Sequence, residues 1–222
     1  MHLNSDLLFG KYGQTNIVDR MKVLEIGPNG FPSTYYSRAM KHNLVWHTID
    51  FADSRFIKSA NSDLTYVLEN PYNFPIKDDE YDIVVSGQVI EHVHKIWVWL
   101  KEIKRVLRKG GLIITINPVS WPYHEAPVDC WRIYPEGIRA LADELGLEVV
   151  LCQCESLEKE LIADLDAKGV TIPGRSYTHY LSKDQLARIV RWNKLARRLP
   201  YFRSLEIPVE VSYDTISILR KR

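Results

Sequence analysis

Two glycines three residues apart, Gly27 and Gly30, end an apolar run that carries an acid, Val23-Leu24-Glu25-Ile26-Gly27-Pro28-Asn29-Gly30. A second apolar run closes on another acid, Val45-Trp46-His47-Thr48-Ile49-Asp50. Glycine has no Cβ, so backbone at those two positions can approach a ligand closely. A carboxylate at a strand end accepts from a pair of neighbouring hydroxyls in charge-assisted hydrogen bonds. Strand, glycine turn, helix and acid-terminated strand together are how an α/β sheet holds an adenosine-containing cofactor at its carboxyl edge.

The identity of that cofactor follows from what the glycine turn lacks. A dinucleotide needs its pyrophosphate cradled by G-x-G-x-x-G, and here asparagine stands at the second glycine while Pro28 removes one N–H donor. S-adenosylmethionine carries no phosphate; it brings a sulfonium, a zwitterionic amino acid and a ribose diol. Gly27 and Gly30 would admit its methionine part, Asp50 would take the ribose hydroxyls, and Glu25 would set a negative charge near the ammonium, through water or the loop backbone.

Methyl transfer is an in-line displacement in which a protein aligns the acceptor and removes its proton. Candidate bases are His92, His94 and His124, with Glu91 beside them. His92 is favoured because it opens the helix expected from Val89 and can face the cleft near neutral pH. Gln88, Glu91 and His92 would share a helical face and look like the E-x-x-E-H metal sites of some methyltransferases, with His124 after the fifth strand as a fourth group. An uncharged glutamine is a poor ligand, however, and no metal is expected. Asn117 to Trp131 is the densest aromatic and polar stretch, and Trp121, Tyr123, Asp129, Trp131 and Arg132 are its candidate substrate-binding residues. A structural role is open for the same loop, with Asp129 and Arg132 paired and Trp131 wedging the next helix.

These groups need a scaffold, and the chain supplies one by alternation. Strands are expected at Lys22–Ile26, Leu44–Asp50, Thr65–Leu68, Tyr81–Ser86, Leu112–Asn117, Leu147–Cys154 and Val209–Leu219. Helices are expected from Ser33 to His42, Val89 to Leu107 and Pro135 to Leu145, with a weaker helical piece at Asn16–Met21. Such an order means a doubly wound, mostly parallel α/β sheet. Residues 156–208 interrupt it with helical pieces near Leu157–Lys168 and Ser182–Leu199, which read as an insertion over the sheet edge within a single domain, 1–222.

The 222 residues carry a formal charge of +1, so no global field argues for nucleic acid. The charge is uneven: Arg175, Lys183, Arg188, Arg191, Lys194, Arg197, Arg198 and Arg203 face Asp184 alone. With Leu186, Ile189, Val190, Trp192, Leu195 and Leu199 as an apolar side, the second of these helical pieces reads as a lid, as a contact for an anionic or phosphorylated substrate, as a dock for an anionic membrane, or as a contact for RNA. Three cysteines make no disulfide framework, no signal peptide is visible and no apolar run approaches a membrane span, so a cytoplasmic protein is expected.

Over about 130 residues the motifs agree in order and spacing with a known family. Val23 to Gly30, Asp50, Phe74-Pro75-Ile76-Lys77-Asp78-Asp79-Glu80-Tyr81 through Ser86, Val89 to Val93, and Leu107 to Leu112 together resemble the class I S-adenosylmethionine-dependent methyltransferases of the UbiE-like, type 11 group. The resemblance implies a seven-stranded Rossmann-like sheet. It implies that Glu25, Gly27, Pro28, Gly30, Asp50, Asn70, Ser86 and Gln88 line the cofactor, Asn70 standing where an acid usually takes the adenine amino group. The Asp129 to Gly137 run is similar to a D-x-W-R-x-x-P-E-G signature of polysaccharide and natural-product methyltransferases. The expected function is therefore methylation of an oxygen on a small-molecule or sugar-containing acceptor. A nitrogen acceptor, or a catalytically silent scaffold of the same fold, are the alternatives.

Overall fold

The computed structural model describes residues 3–40, 43–52, 64–125, 127–158, 171–173, 183–199, 201, 205, 207 and 209–222. Seven strands form one sheet: β1 (Lys22–Ile26), β2 (Val45–Phe51), β3 (Tyr66–Leu68), β4 (Tyr81–Gly87), β5 (Leu107–Pro118), β6 (Leu147–Glu155) and β9 (Asp214–Lys221), in the order β3-β2-β1-β4-β5-β9-β6. β9 runs antiparallel between β5 and β6, while the pairs among β1 to β5 are parallel. The carboxyl ends of β1, β2, β4 and β5 therefore share one edge, and the start of β9 reaches the same edge, where Asp214 pairs with Pro118.

Both faces of the sheet are covered, which explains strands that read as continuous apolar runs. Leu24, Val84 and Ile113 point to one core with Trp99, Leu100 and Ile103 of helix α3 (Ile96–Val106) and Ile138 of helix α4 (Pro135–Glu144). Their neighbours Val23, Ile83, Val85 and Ile114 point to the other core, with Leu8 of helix α1 (Leu3–Leu8) and Tyr35 of helix α2 (Thr34–Ala39). Ser33 caps α2 by accepting from Tyr36 N at 3.1 Å, as its hydroxyl suits it to do. Gly146, at φ +60°, ends α4 in the left-handed turn that glycine adopts without penalty.

Three elements differ from the sequence expectation. The first helical structure spans α1, a π turn (Phe9–Gly13) and a 3-10 turn (Gln14–Asn16), so it ends where a helix was expected to begin. The helix expected from Val89 to Leu107 is split into a 3-10 turn at Ile90–His92 and α3. The cause is a diverted carbonyl. Glu91 O, which a continuous helix would offer to Lys95 N, accepts from Cys130 N at 2.7 Å and Trp131 N at 3.3 Å, while Lys95 N donates to Tyr72 Oη at 3.1 Å. Last, the expected strand Val209–Leu219 breaks at Ser212 and Tyr213, whose N–H groups donate to Glu158 Oε2 at 3.0 Å and Ser120 Oγ at 2.8 Å.

The break separates β9 from β8 (Val209–Val211), which pairs in parallel with β7 (Thr171–Pro173) in a small second sheet. Helix α5 (Lys183–Arg198) belongs to the same stretch. The helical piece expected near Leu157–Lys168 falls largely outside the described residues, as do Arg175 and Arg203.

Candidate functional site

The parallel edge gathers the predicted cofactor residues. Gly27 follows β1 at φ +70°, a backbone that side-chain-bearing residues rarely adopt, and a Cβ there would stand 2.4 Å from Val89 Cγ2. The glycine is thus needed both for the turn and for the close pass of the segment after β4. Asp50 ends β2, half-buried, and one of its oxygens accepts from Phe51 N at 2.8 Å. Ser86, on β4, is buried and its hydroxyl lacks a hydrogen-bond partner. Asn29 is spent locally, its side chain bonding Thr34 N and Oγ1 at 3.0 and 2.8 Å. Asn70 is exposed and its Oδ1 accepts from Tyr72 N at 2.9 Å.

Glu25 is placed more deeply than the sequence suggests. It is 2 % exposed, and one oxygen accepts from both Ser33 Oγ at 2.5 Å and Trp46 Nε1 at 2.9 Å. Burial pushes its carboxyl up to about 7, against the pull of those two donors. It therefore ties the α2 cap to β2 beneath the glycine turn.

Gln88 shows what the sequence does not. Its backbone is left-handed at φ +59°, an uncommon state for a residue with a side chain, and its amide donates to Asp214 Oδ1 at 3.1 Å. Asp214, fully buried, also accepts from Asn4 Nδ2 at 2.6 Å. Asn4 reaches further, its Oδ1 accepting from Leu157 N at 2.8 Å and its own N–H donating to Glu158 Oε1 at 3.1 Å. The N-terminal helix thus locks onto the carboxyl edge through a buried polar network. Such long-range partners carry no local signal; the only hint was a polar Asn-Ser pair preceding two leucines.

The reacting side is built by stitching the turn at Ile90–His92 to the loop after β5. His92 Nδ1 meets Val128 O at 2.5 Å, and the two main-chain bonds to Glu91 O complete the seam. A carbonyl only accepts, so the His92 proton sits on Nδ1 and Nε2 keeps its lone pair. Burial lowers the pKa of His92, which favours the neutral ring. The His124 ring stands edge-on to it with centroids 4.9 Å apart. Glu91 lies beneath, fully buried, its carboxyl pushed up to about 8 by desolvation.

The loop residues predicted to bind substrate divide into two groups. Arg132 and Asp129 form a fork-to-fork pair at 2.6 and 2.7 Å, Asp129 Oδ2 also takes His124 N at 2.8 Å, and Arg132 donates to the carbonyls of Trp121 and Pro122 at 3.1 Å. The pair holds the Asp129 carboxyl down to about 2. Trp131 donates from Nε1 to Val93 O at 2.8 Å and packs on the core. These three brace the loop. Tyr123 is exposed and bonded to Glu125, and Trp121 with Tyr123 forms part of the wall of a shallow cleft of about 310 Å³ that Asp129, Cys130, Trp131 and Arg132 complete. A larger groove, about 1010 Å³, runs along α3 and is lined by Tyr72, Trp97, Lys101 and Arg105. It touches neither the glycine turn nor the histidines; the smaller cleft is tied to His124 through Asp129, whose carboxylate takes the His124 N–H.

Residues 24–115 match the family model described as a methyltransferase domain. That stretch is therefore similar to the methyltransferase domain of that family. The match runs from β1 to the middle of β5 and so takes in the glycine turn, Asp50 and the Glu91–His92 turn. A protein of Escherichia coli K12 described as uncharacterized, YafE, is 30% identical over 108 residues, 46% of this chain and 49% of that one. The demethylmenaquinone methyltransferase of Staphylococcus saprophyticus is 34% identical over 62 residues, 28% of this chain and 26% of that one. The chain therefore spans half the length of these curated relatives or less. Among solved structures, an S-adenosylmethionine-dependent methyltransferase from Archaeoglobus fulgidus superposes with a TM-score of 0.58 at 15% identity, covering 96% of this chain and 92% of that one. The Haemonchus contortus phosphoethanolamine N-methyltransferase 2, solved with S-adenosyl-L-methionine, gives 0.55 at 16%, covering 98% and 52%. The cyclase SpnF gives 0.56 at 17%, covering 98% and 79%. At these identities the superpositions establish the fold alone. No helix among the described residues is long and apolar enough to cross a membrane.

Proposed function

We propose that this chain transfers a methyl group from S-adenosylmethionine to a hydroxyl of a small-molecule or sugar-containing acceptor. The observation that carries the reading is the family match over the stretch that builds the carboxyl edge, with Gly27, Ser86 and Asp50 brought to it. Fold alone would not carry it, since a cyclase shares the fold. The residues suit this cofactor: a glycine turn free of a phosphate signature, an orphaned Ser86 hydroxyl and a carboxylate at the end of β2 are what a ligand rich in donors needs.

When bound, the cofactor supplies an electrophilic methyl group on its sulfonium. Asp50 holds the ribose hydroxyls, and the backbone around Gly27 and Gly30 takes the methionine part. The cleft walled by Trp121 and Tyr123 positions the acceptor, and Asp129 with Arg132 keeps that wall in place. His92 takes the acceptor's proton on Nε2, because Val128 O holds its other nitrogen protonated. An oxygen acceptor is favoured over nitrogen because a neutral imidazole beside a polar-aromatic cleft answers the need of a hydroxyl that must lose its proton.

Calorimetry with S-adenosylmethionine and S-adenosylhomocysteine tests the reading. Binding in the micromolar range, lost in Asp50→Ala, is expected; no binding at millimolar cofactor would overturn it. For the base, His92→Ala lowers turnover while cofactor affinity stays within about 2-fold; unchanged turnover removes His92 from the mechanism.

Helix α5 supports a membrane-facing partner. Its buried face is Val190, Asn193 and Ala196, with Asn193 bonding the Ile207 main chain at 2.7 and 2.8 Å. Trp192, Leu195 and Leu199, expected on the covered side, are instead 41%, 52% and 45% exposed among Arg188, Arg191 and Lys194. Apolar side chains left outward on a cationic helix are suited to an anionic lipid surface.

A further inference from the structure

We infer that Glu91, His92 and His124 form a binding site for a divalent first-row transition cation of the zinc type. Among the described residues they are the group whose donor atoms converge, one atom from each lying within 4.8 Å of the others. The first observation is a buried carboxyl group without hydrogen-bond partners. Glu91 is fully buried, and neither of its oxygens has a hydrogen-bond partner; His92 Nε2 stands 3.7 Å from Oε1. The one guanidinium nearby, Arg132, is engaged by Asp129. A buried carboxylate without donors costs several kcal/mol unless a proton or a cation joins it.

The second observation is independent of the first. Both imidazoles have Nδ1 against a main-chain carbonyl, His92 on Val128 at 2.5 Å and His124 on Pro122 at 3.2 Å. Each ring is thereby fixed as the Nδ1–H tautomer with a lone pair on Nε2, the arrangement that metal-binding imidazoles take from their outer partners. The two rings, edge to face at 4.9 Å, bring one ring nitrogen each within 4.8 Å of a carboxyl oxygen that lacks hydrogen-bond partners.

The donor set selects the ion. Two imidazole nitrogens and one carboxylate oxygen with a fourth position open is a zinc-type set, also suited to manganese, iron(II) and cobalt. It has too few oxygens for calcium and none of the phosphate partners that magnesium prefers. Around an ion with bonds of about 2.0–2.1 Å, tetrahedral ligand atoms stand about 3.4 Å apart, so donor atoms now within 4.8 Å of one another need to close by at most about 1.4 Å. The glutamine at position 88 takes no part, being held by Asp214. The ligand set therefore joins the turn after β4 to the loop after β5, instead of lying along one helix.

The ion's place in catalysis rests on the proposed methyl transfer; its binding does not. The His92 Nε2 lone pair cannot serve an ion and a proton at once, so a bound ion would displace His92 from the role of base; its open position would polarise the acceptor hydroxyl, whose proton would leave to solvent.

Co²⁺ titration of the full chain, stripped by dialysis against a chelator, tests the site. One equivalent should bind with a visible ligand-field band that Zn²⁺ displaces. His124→Ala should weaken Co²⁺ binding by about 100-fold or more and Glu91→Gln by at least about 10-fold. Should Glu91→Gln fail to fold, His124→Ala carries the test, since its side chain is 37% exposed on a loop. No saturable band at millimolar Co²⁺, or a band unchanged in the His92→Ala/His124→Ala double variant, overturns the site. S-adenosylhomocysteine calorimetry on the same samples separates the two readings: intact cofactor binding without a band removes the ion alone, and a band without cofactor binding removes the methyl donor alone.

Discussion

Glu25 offers the sharpest quantitative test, because burial, not a partner, sets its chemistry. Its carboxyl moves from an ordinary 4.5 up to about 7 on folding, the cause being desolvation only partly offset by Ser33 and Trp46. Each tenfold change in proton affinity is worth about 1.4 kcal/mol, so ionising Glu25 in the folded chain costs about 3 kcal/mol. A raised acid stabilises the fold only while protonated. Below pH 4.5 nothing is lost; between 4.5 and 7 the folded state holds a proton the unfolded chain has released, and stability falls as pH rises. Above 7 the full cost is present. Glu25→Gln keeps an acceptor for Ser33 and Trp46 but cannot ionise. Urea unfolding of both proteins at pH 5, 6, 7 and 8 should show the parent losing about 3 kcal/mol relative to the variant across that range. The cofactor sharpens the test. An ammonium group near Glu25 favours the ionised form, so calorimetry near pH 6 in buffers of different ionisation enthalpy should detect release of up to one proton in the parent, and none from this group in Glu25→Gln. A pH-independent stability difference, or a parent that gains on the variant as pH rises, would refute the reasoning about burial. Equal proton release in both proteins would refute the placement of the ammonium.

Gly27→Ala should destabilise by about 2–5 kcal/mol, combining the left-handed backbone at φ +70° with a Cβ driven into Val89 Cγ2, and differential scanning calorimetry should register a fall in Tm of several degrees. Asp129→Asn leaves Arg132 without its counter-charge; because that guanidinium is partly exposed the expected loss is about 2 kcal/mol in urea unfolding at pH 7, with S-adenosylhomocysteine affinity unchanged. The Asp129 carboxyl is held down to about 2 from 3.8, so its contribution is whole above pH 3.8 and fades as pH falls towards 2, where parent and variant should converge. Leu195→Glu with Trp192→Glu should cut sedimentation with phosphatidylserine vesicles at least about 10-fold and leave the already weak association with phosphatidylcholine vesicles unchanged; equal association with both vesicle types by the parent would overturn the membrane reading.

The residues proposed for the cofactor stand out in the sequence because their signals are local. Gly27 is demanded by a positive φ at the end of an apolar strand, Ser33 by a free helix end, and Asp50 by its position at a strand terminus, and each leaves a mark within a few residues of itself. The strands were legible for a related reason: sandwiched between two cores, β1, β4 and β5 must be apolar on both faces. The acceptor half resisted reading because its geometry is set by partners far along the chain. The periodicity from Val89 to Val106 is helical throughout, yet the helix cannot form across Glu91, whose carbonyl is claimed by Cys130 and Trp131. That one diversion, about 39 residues distant in sequence, decides which side chains meet. On a continuous helix Gln88 would stand with Glu91 and His92; in the seam it turns to Asp214, and His124 arrives in its place. The same seam explains why Asp129, Trp131 and Arg132, conspicuous as a cluster of functional side chains, turn out to be spent on holding the loop. Sequence clustering marked where the loop lies, but the side chains it leaves with hydrogen-bonding capacity are others: His92 and His124 at Nε2 and the Glu91 carboxyl. In a fold of this kind unspent capacity at the carboxyl edge is a better guide to the reacting groups than residue type alone, because every buried polar group that already has its partners has no bond left to offer a ligand.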